Sequence, residues 1–486
     1  INLKSISLLF YLYRFINRKR KFQLLFLILI MIFSGFSELI SLSLVFPFLT
    51  VISNPDILLE NKTIQRYLIQ NFDLGITELI VILTFFFAVS AIISGTIRIL
   101  NYWLNGRISA LITSDLSAKG FDLTINQPYI EHVNNNSSSL ILASTKQFAV
   151  FGEVIRQILQ FLSSIFIAVF LILGIFLIDW KMTIYFMSIL IPFYIFIGIV
   201  VRKRLVRNSL LIADSTSYLV KIVQDIFGYI RDITLDGSQE RFTSNYKNQD
   251  IIFRINSVDN YFYRAFPRYA LETIGLIAIS LSAAFLVIFD KNKNLIPTLG
   301  FIALAAQRLL PIFQVMFSSW AFIKGTKAEQ IAIFKILNQK VSPINLNKNK
   351  LVYKNEIKLE AVSFKYKQSS QYVLKNINLS IKKGERIGII GETGSGKTTL
   401  IDILMGLLKP NSGKMLIDNN ELYEIPNSKN LFMWRNLIAH VPQDIFLNDK
   451  SIAENIAIGC DYKDIDIKRV IRASKKAKIH DFISKT

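Results

Sequence analysis

The sequence predicts a helical membrane domain of six spans, followed by an α/β domain. Three observations predict it. Six segments between Phe22 and Ile323 are long, apolar and nearly free of charge. Residues 391–398 read Gly-Glu-Thr-Gly-Ser-Gly-Lys-Thr, a G-x-x-x-x-G-K-[ST] phosphate loop. Between them lies a polar stretch, 338–356, which holds Pro343 and reads as a linker.

The composition supports a membrane domain. Hydrophobic residues make up 52% of the 486, and 38 are Phe, too apolar for an ordinary soluble protein. The net charge of +21 raises the question of nucleic acid or an anionic surface. The basic residues cluster beside apolar runs on one predicted side, so a lipid bilayer is the expected partner and nucleic acid is not. Cys460 is the single cysteine, which rules out an intrachain disulfide. The Ile, Asn and Lys usage points to an AT-rich bacterial genome. The chain starts at Ile1 without a signal-peptide pattern, so an N-terminal fragment is expected.

The spans follow in order. Phe22–Ile52 is interrupted only by Glu38. Leu79–Ile97 is uncharged between Glu78 and Arg98, and Gln157–Ile178 between Arg156 and Asp179. Met182–Val201 runs from Lys181 to Arg202. The fifth span is Tyr269–Phe289, with Glu272 near its start, and the sixth is Leu295–Ile323, with Arg308 inside. The membrane domain is therefore taken as 1–337.

Lys and Arg placement orients the spans. Arg14, Arg18, Lys19, Arg20 and Lys21 precede the first, so the N-terminus is expected in the cytoplasm. The connections Asp179–Lys181 and Asp290–Asn294 are short and fall outside. Those at 98–156 and 202–268 are long, basic and inside. Six spans return the chain to the cytoplasm before the phosphate loop. Within the inner connections, Ile108–Leu123 and Leu205–Tyr229 show helical spacing and read as extensions of the membrane helices. Asn134–Ser139 reads as a turn or helix boundary. No solenoid-period repeat is visible.

Residues 357–486 form the second domain. Alternation at Ile357–Tyr366 and Asn376–Ile381 predicts strands. Arg386–Ile390 is a short apolar strand signal before the loop, and Thr399–Met405 a helical pattern after it. Gly391, Gly394 and Gly396 let the backbone turn tightly and aim N–H groups at phosphate oxygens. The following helix presents its positive end to the same anion. Lys397 adds a point charge, and the Thr398 hydroxyl suits Mg²⁺.

Three further runs carry a family resemblance: Val362–Tyr366, Val373–Ile381 and Gly384-Glu385. They resemble the start of an ABC transporter nucleotide-binding domain. Six spans with long inner connections resemble the exporter half-transporter arrangement. That resemblance implies ATP and Mg²⁺ as cofactors, held by Gly391, Glu392, Thr393, Gly394, Ser395, Gly396, Lys397, Thr398 and Thr399. It places Tyr366 against the adenine; an ordinary strand aromatic is the other reading. Ala439–Asp444, with Ser451–Ile456 after it, resembles the family's glutamine loop. Gln443 would then contact Mg²⁺ and the attacking water, a catalytic role. Segments 127–135 and 228–237 resemble coupling helices.

The resemblance also expects a signature loop, a Walker B acid, a catalytic Glu and a switch His beyond Thr486, so the chain reads as truncated. His440 is taken as a strand histidine, and His132 and His480 as exposed. Asp402 and Asp418 do not take the place of the missing acids, and no metal-ligand cluster is visible.

Glu38 and Arg308 are the deepest ionisable residues in the spans. A cavity-facing Arg308 suits an anionic head group, with Arg264 and Arg268 extending the basic path. A structural pair with Glu38, or snorkelling to an interface, is equally open. The text around Glu38 and Arg308 resembles exporters that flip lipid-linked oligosaccharides; multidrug and lipid exporters share much of it. The expected function is ATP-dependent export or flipping of a lipid-like or amphipathic substrate. The protein would work as a homodimer or paired half-transporter in a bacterial inner membrane. One other reading stays open, an ATP-binding remnant or regulatory partner without hydrolysis; a membrane-tethered P-loop kinase would need an acceptor-substrate site, which the coupling-helix pattern does not support.

Overall fold

A computed structural model describes residues 13–53, 76–134, 137–178, 180–289, 295–339, 341, 353–367, 369–423, 428–443 and 445–485. The connection Asp290–Asn294, Asp179 of the other short connection, linker residues 342–352 and Asp444 lie outside the described residues. The chain divides into two compact units, Ile1–Ser342 and Pro343–Thr486.

The first unit is helical. Its elements are α1 (Arg18–Ser43), α2 (Val45–Ser53), α3 (Ile76–Ile125), α4 (Tyr129–Asn134), α5 (Ser137–Leu142), α6 (Phe148–Ile178), α7 (Trp180–Gly228), α8 (Ile230–Asp236), α9 (Gln239–Phe289), α10 (Leu295–Gly325) and α11 (Lys327–Leu337). A π-helical turn, Ala143–Gln147, joins α5 to α6. Three stretches of the described residues are long and apolar enough to cross a membrane: Arg18–Ile52, Ile80–Ile125 and Leu140–Leu177. The predicted fourth, fifth and sixth spans fall within α7, α9 and α10.

Each predicted inner extension is continuous helix, because its apolar spacing carries on past the span. α3 runs 50 residues and α9 runs 51. Pro192, Pro267 and Pro311 sit inside α7, α9 and α10. Neighbouring helices make such prolines tolerable in membrane helices. The two predicted short segments form α4 and α8. Gly237, at φ 68°, ends α8 in the left-handed conformation that favours glycine. At the predicted boundary, α4 ends at Asn134 and α5 begins at Ser137, with 135 and 136 outside the described residues.

α6 packs against α1, α3 and α10, and α7 against α9. One core of this unit holds Leu27, Ile112, Phe151, Ile155, Ile333 and Phe334. Phe151 and Phe334 meet edge-on at 5.6 Å, a geometry worth about 0.5–1.5 kcal/mol beyond area burial. Other apolar side chains face outward. Phe22, Phe26 and Phe33 on α1, and Phe85, Phe86 and Ile92 on α3, are exposed. So large an apolar surface requires lipid rather than water. Buried polar side chains pair between helices: Asn101 donates to Ser163 Oγ at 2.6 Å and Ser319 to Gln157 Oε1 at 2.7 Å.

The second unit holds a four-stranded antiparallel sheet in the order β2-β1-β3-β4. The strands are β1 (Glu356–Phe364), β2 (Leu374–Lys382), β3 (Ser412–Ile417) and β4 (Asn420–Glu421). Inward residues Leu359, Val362, Phe364, Met415 and Ile417 are buried. Helices α12 (Lys397–Leu404), α13 (Ser428–Arg435), α14 (Ile452–Ile456), α15 (Ile467–Lys476) and α16 (His480–Ile483) complete the unit. β1 bulges at Ala361, which has φ 49°. Opposite the bulge, Gly413 has φ 83°, and a Cβ there would lie 2.4 Å from Ala361 O. Only glycine fits.

Asp418 clasps the start of the sheet. Its carboxylate accepts backbone N–H groups of Lys354, Asn355 and Glu356. The Lys354 amide bond, with those of Glu356 and Asn355, holds its pKa below the usual carboxylate range against partial desolvation. Its stabilising effect is therefore full above the unfolded Asp pKa of about 3.9 and is lost as pH falls through the lower folded value. Asp418→Ala is expected to speed hydrogen exchange of β1 and β3 amides at pH 7. The gap from wild type should close in acid below about pH 3.9. An equal gap at all pH values would contradict the clasp.

Three expectations are corrected. Residues 386–390 form no strand: Ile390 is 98% exposed, and no described backbone pairs with the segment. A strand is made by its neighbour as well as by its own apolar run. His440 likewise lies exposed and outside any strand. His132 and His480 are half-buried rather than exposed, and His480 Nδ1 lies 2.9 Å from Ser474 Oγ, within hydrogen-bond distance.

Candidate functional site

The phosphate loop runs into α12 through Gly396, at φ 94°. Gly394 has φ 87°. A Cβ on Gly396 would meet Leu374 Cδ2 at 3.0 Å and Val373 O at 3.2 Å, so the start of β2 presses on the loop. Within the loop, the Ser395 N–H donates to Glu392 O at 3.2 Å. The first intrahelical bond of α12 runs from the Leu400 N–H to Gly396 O at 2.9 Å. The amides of 397–399 precede it, so the helix start offers its donors to an anion.

The Lys397 ammonium folds back across the loop. It donates to Gly391 O and Glu392 O, each at 2.7 Å. An ammonium has three donors, so one remains for a phosphate oxygen. Thr398 is exposed. Thr399 is buried, and its hydroxyl pairs with the Tyr366 hydroxyl at 3.1 Å. That bond brings Tyr366, 33 residues away in sequence, to the first turn of α12. The Tyr366 ring stands edge-on to Phe364, centroids 5.0 Å apart. The loop, Lys397, Thr399 and Tyr366 are thus brought together, and they fit a nucleotide. Gln443 is exposed and makes no hydrogen bond with the described residues.

Further along, Ser451 and Glu454 form a capping box at α14. The Ser451 N–H and hydroxyl both donate to the Glu454 carboxylate, at 3.1 and 2.8 Å. The run Ser451–Asn455 thus has a local structural reason. Among the described residues no cluster of His, Cys, Asp and Glu suits a metal ion.

In the helical unit, Glu38 and Arg308 form a pair. Arg308 donates to Glu38 Oε2 at 2.8 Å and to Ser41 Oγ at 3.2 Å. Arg98 reaches the other Glu38 oxygen at 3.5 Å. The Glu38 side chain is 5% exposed, and Arg308 is 28%. Of the open readings, the geometry forms the pair. Arg98 was legible only as the residue bounding the second span. Arg268 pairs along its own helix with Glu272 at 2.8 Å, and the Arg264 guanidinium lies over the Phe322 ring at 4.7 Å.

Residues 22–312 match the family described as the ABC transporter transmembrane region, and 374–486 match that described as ABC transporter. The chain belongs to the ABC transporter family. It carries a transmembrane region and an ABC domain in one polypeptide, the arrangement of an exporter-type half-transporter. It is 25% identical over 415 residues to an ATP-dependent lipid A-core flippase of Cupriavidus pinatubonensis, covering 81% of this chain and 66% of that protein. It is 35% identical over 223 residues to a putative ABC transporter ATP-binding protein of Mycoplasma pneumoniae, covering 43% and 32%. A leukotoxin translocation ATP-binding protein of Bibersteinia trehalosi is 29% identical, covering 60% and 41%. The chain thus spans about two thirds or less of these relatives. A bacterial Atm1-family ABC exporter solved with ATP bound shares the fold, with a TM-score of 0.75 at 16% identity over 96% of this chain and 78% of that one. This ABC transporter chain is an integral membrane protein.

Proposed function

We propose that the protein uses ATP to export or flip a lipid-like or amphipathic substrate across a bacterial inner membrane. The observation that carries this reading is the loop at 391–398, with Lys397 and Tyr366 gathered at it, in one chain with an apolar helical unit. Two of the relatives named above are a flippase and a toxin translocator, which supports export of a large amphiphile.

In this reading six spans cross the membrane, with the N-terminus and the nucleotide domain cytoplasmic. Residues 338–356 join the two domains. Lys397 and the amides of 397–399 hold the β- and γ-phosphates, the backbone of 391–396 cradles them, and Tyr366 faces the adenine. Mg²⁺, when bound, offsets phosphate charge, with Thr398 and Gln443 as its ligands. Two half-transporters pair, as one copy or two kinds of chain. The short helices α4 and α8 connect nucleotide binding to the spans. Glu38 and Arg308 face the substrate path, their pair opening when a charged head group competes for the guanidinium.

The test is ATP hydrolysis by the whole protein in liposomes, with candidate lipids added. Stimulation by polyprenyl-pyrophosphate sugars or another anionic amphiphile is expected. Nucleotide binding without stimulation by any amphiphile would overturn transport and leave an ATP-binding regulator.

A further inference from the structure

A cavity of about 360 Å³ opens in the helical unit among α5, the π turn, α6, α7, α9, α10 and α11. Its lining shares no residue with the Glu38–Arg308 pair or with the phosphate loop. Its wall is largely apolar, with Leu142, Val150, Ile212 and Ala321. Three buried side-chain atoms on that wall have no hydrogen-bond partner among the described residues. They are Arg264 Nε, Asn260 Oδ1 and Glu329 Oε2. Buried polar atoms are nearly always paired, and an orphan carries its full desolvation cost. Three orphans around one cavity point to a partner inside it.

The chemistry of the orphans defines that partner. Arg264 offers a charged donor. Lys146 adds a second cation on the wall, its ammonium 4.6 Å from the Phe253 ring centroid. Lys146 faces Glu329, and Arg264 faces Glu153, which is itself bonded to Arg156, so three cations stand against two carboxylates and the excess favours an anion. Asn260 and Glu329 offer acceptors, so the same ligand must also present donors. Asn260 and Arg264 are four apart on α9 and share one face, so the anion and a donor group must be adjacent. Lys146 lies in the π turn, a helix irregularity often found at functional sites. A phosphate bearing a polyol meets all of these demands. A zwitterion leaves the excess positive charge unanswered.

Counted from the predicted spans, Arg264 lies five residues before the fifth and Glu329 six beyond the sixth, while Lys146 lies eleven before the third and Thr216 fifteen beyond the fourth. The cavity thus lies largely in the helical extensions beyond the apolar windows. We propose that it binds a polyol-phosphate group, carried by an anionic phospholipid or by a free solute. The proposal uses no part of the nucleotide site.

The full chain in detergent is titrated calorimetrically with dihexanoyl-phosphatidylglycerol, dihexanoyl-phosphatidylcholine and glycerol 3-phosphate. Saturable binding of the first is expected, about tenfold stronger than of the second. Arg264→Gln should weaken it about tenfold. Lys146→Gln, at an exposed position, should weaken it too and serves if the first variant fails to fold. Glu329→Gln keeps an acceptor and removes negative charge, so binding should hold or tighten. Equally strong binding of glycerol 3-phosphate, lost in Arg264→Gln, would keep the polyol-phosphate site and assign it to a solute. Equal binding of both lipids, or binding unchanged in folded Arg264→Gln and Lys146→Gln, overturns the proposal.

Discussion

Lys397→Ala should lower the affinity of this chain for ATP by about 10- to 100-fold, the worth of one charge-assisted hydrogen bond of about 1.5–3 kcal/mol. The side chain spans the loop, bonded to Gly391 O and Glu392 O. Removing it deletes a phosphate donor and also frees two carbonyls whose negative ends then face the anion. Both effects act in one direction. Fluorescent-nucleotide titration measures the loss, and ATP-dependent transport by the whole protein should vanish with it. Hydrogen exchange in β1 and β2 should be unchanged, because the lysine holds only the loop. Wild-type affinity in Lys397→Ala would remove the loop from the nucleotide site.

Glu38→Ala is the second large effect, and it concerns stability. Glu38 is the shared anion of Arg308 and Arg98. Breaking a buried pair from one side costs about 3–5 kcal/mol, because the remaining charge is left unpaired. The Glu38→Ala chain should melt well below wild type in detergent. Glu38→Ala with Arg308→Met should recover much of the loss, since an apolar replacement of both partners is often neutral. No recovery in the double variant would show that Glu38 acts through something other than the pair. Arg308→Lys should recover less than its charge suggests, because one ammonium does not reproduce a planar fork that reaches both Glu38 and Ser41.

The phosphate loop was legible because its residues are consecutive and each has a local task. Tyr366 was legible only through family resemblance; its nearness to Thr399 depends on how β1 lies beside α12. Residues 386–390 misled for the opposite reason. Their apolar run carries the local half of a strand, and the other half is a neighbouring backbone that no short window contains. Glu38 and Arg308 stood out because charge is rare in apolar spans, although 270 positions separate them. Of the cavity's polar residues, Arg264 was singled out beside the fifth span, but Lys146, Asn260 and Glu329 gave no such signal. They come from polar inner segments, where one more charge or amide is ordinary. Only their gathering around one cavity in the fold makes them exceptional.

The lengths of α7 and α9 have a mechanical meaning. At 1.5 Å per residue, 49 and 51 residues make rods of about 74 and 77 Å. In the proposed six-span arrangement hydrocarbon would take about 30 Å of each, and roughly 44 Å would stand clear of it. A rod pivoting at the membrane surface turns a 5° tilt into a swing of about 4 Å at its far tip. α8 joins those two tips through seven residues. A push of a few ångströms there is geared down to a small, forceful rotation among the spans, where close-packed side chains resist anything larger.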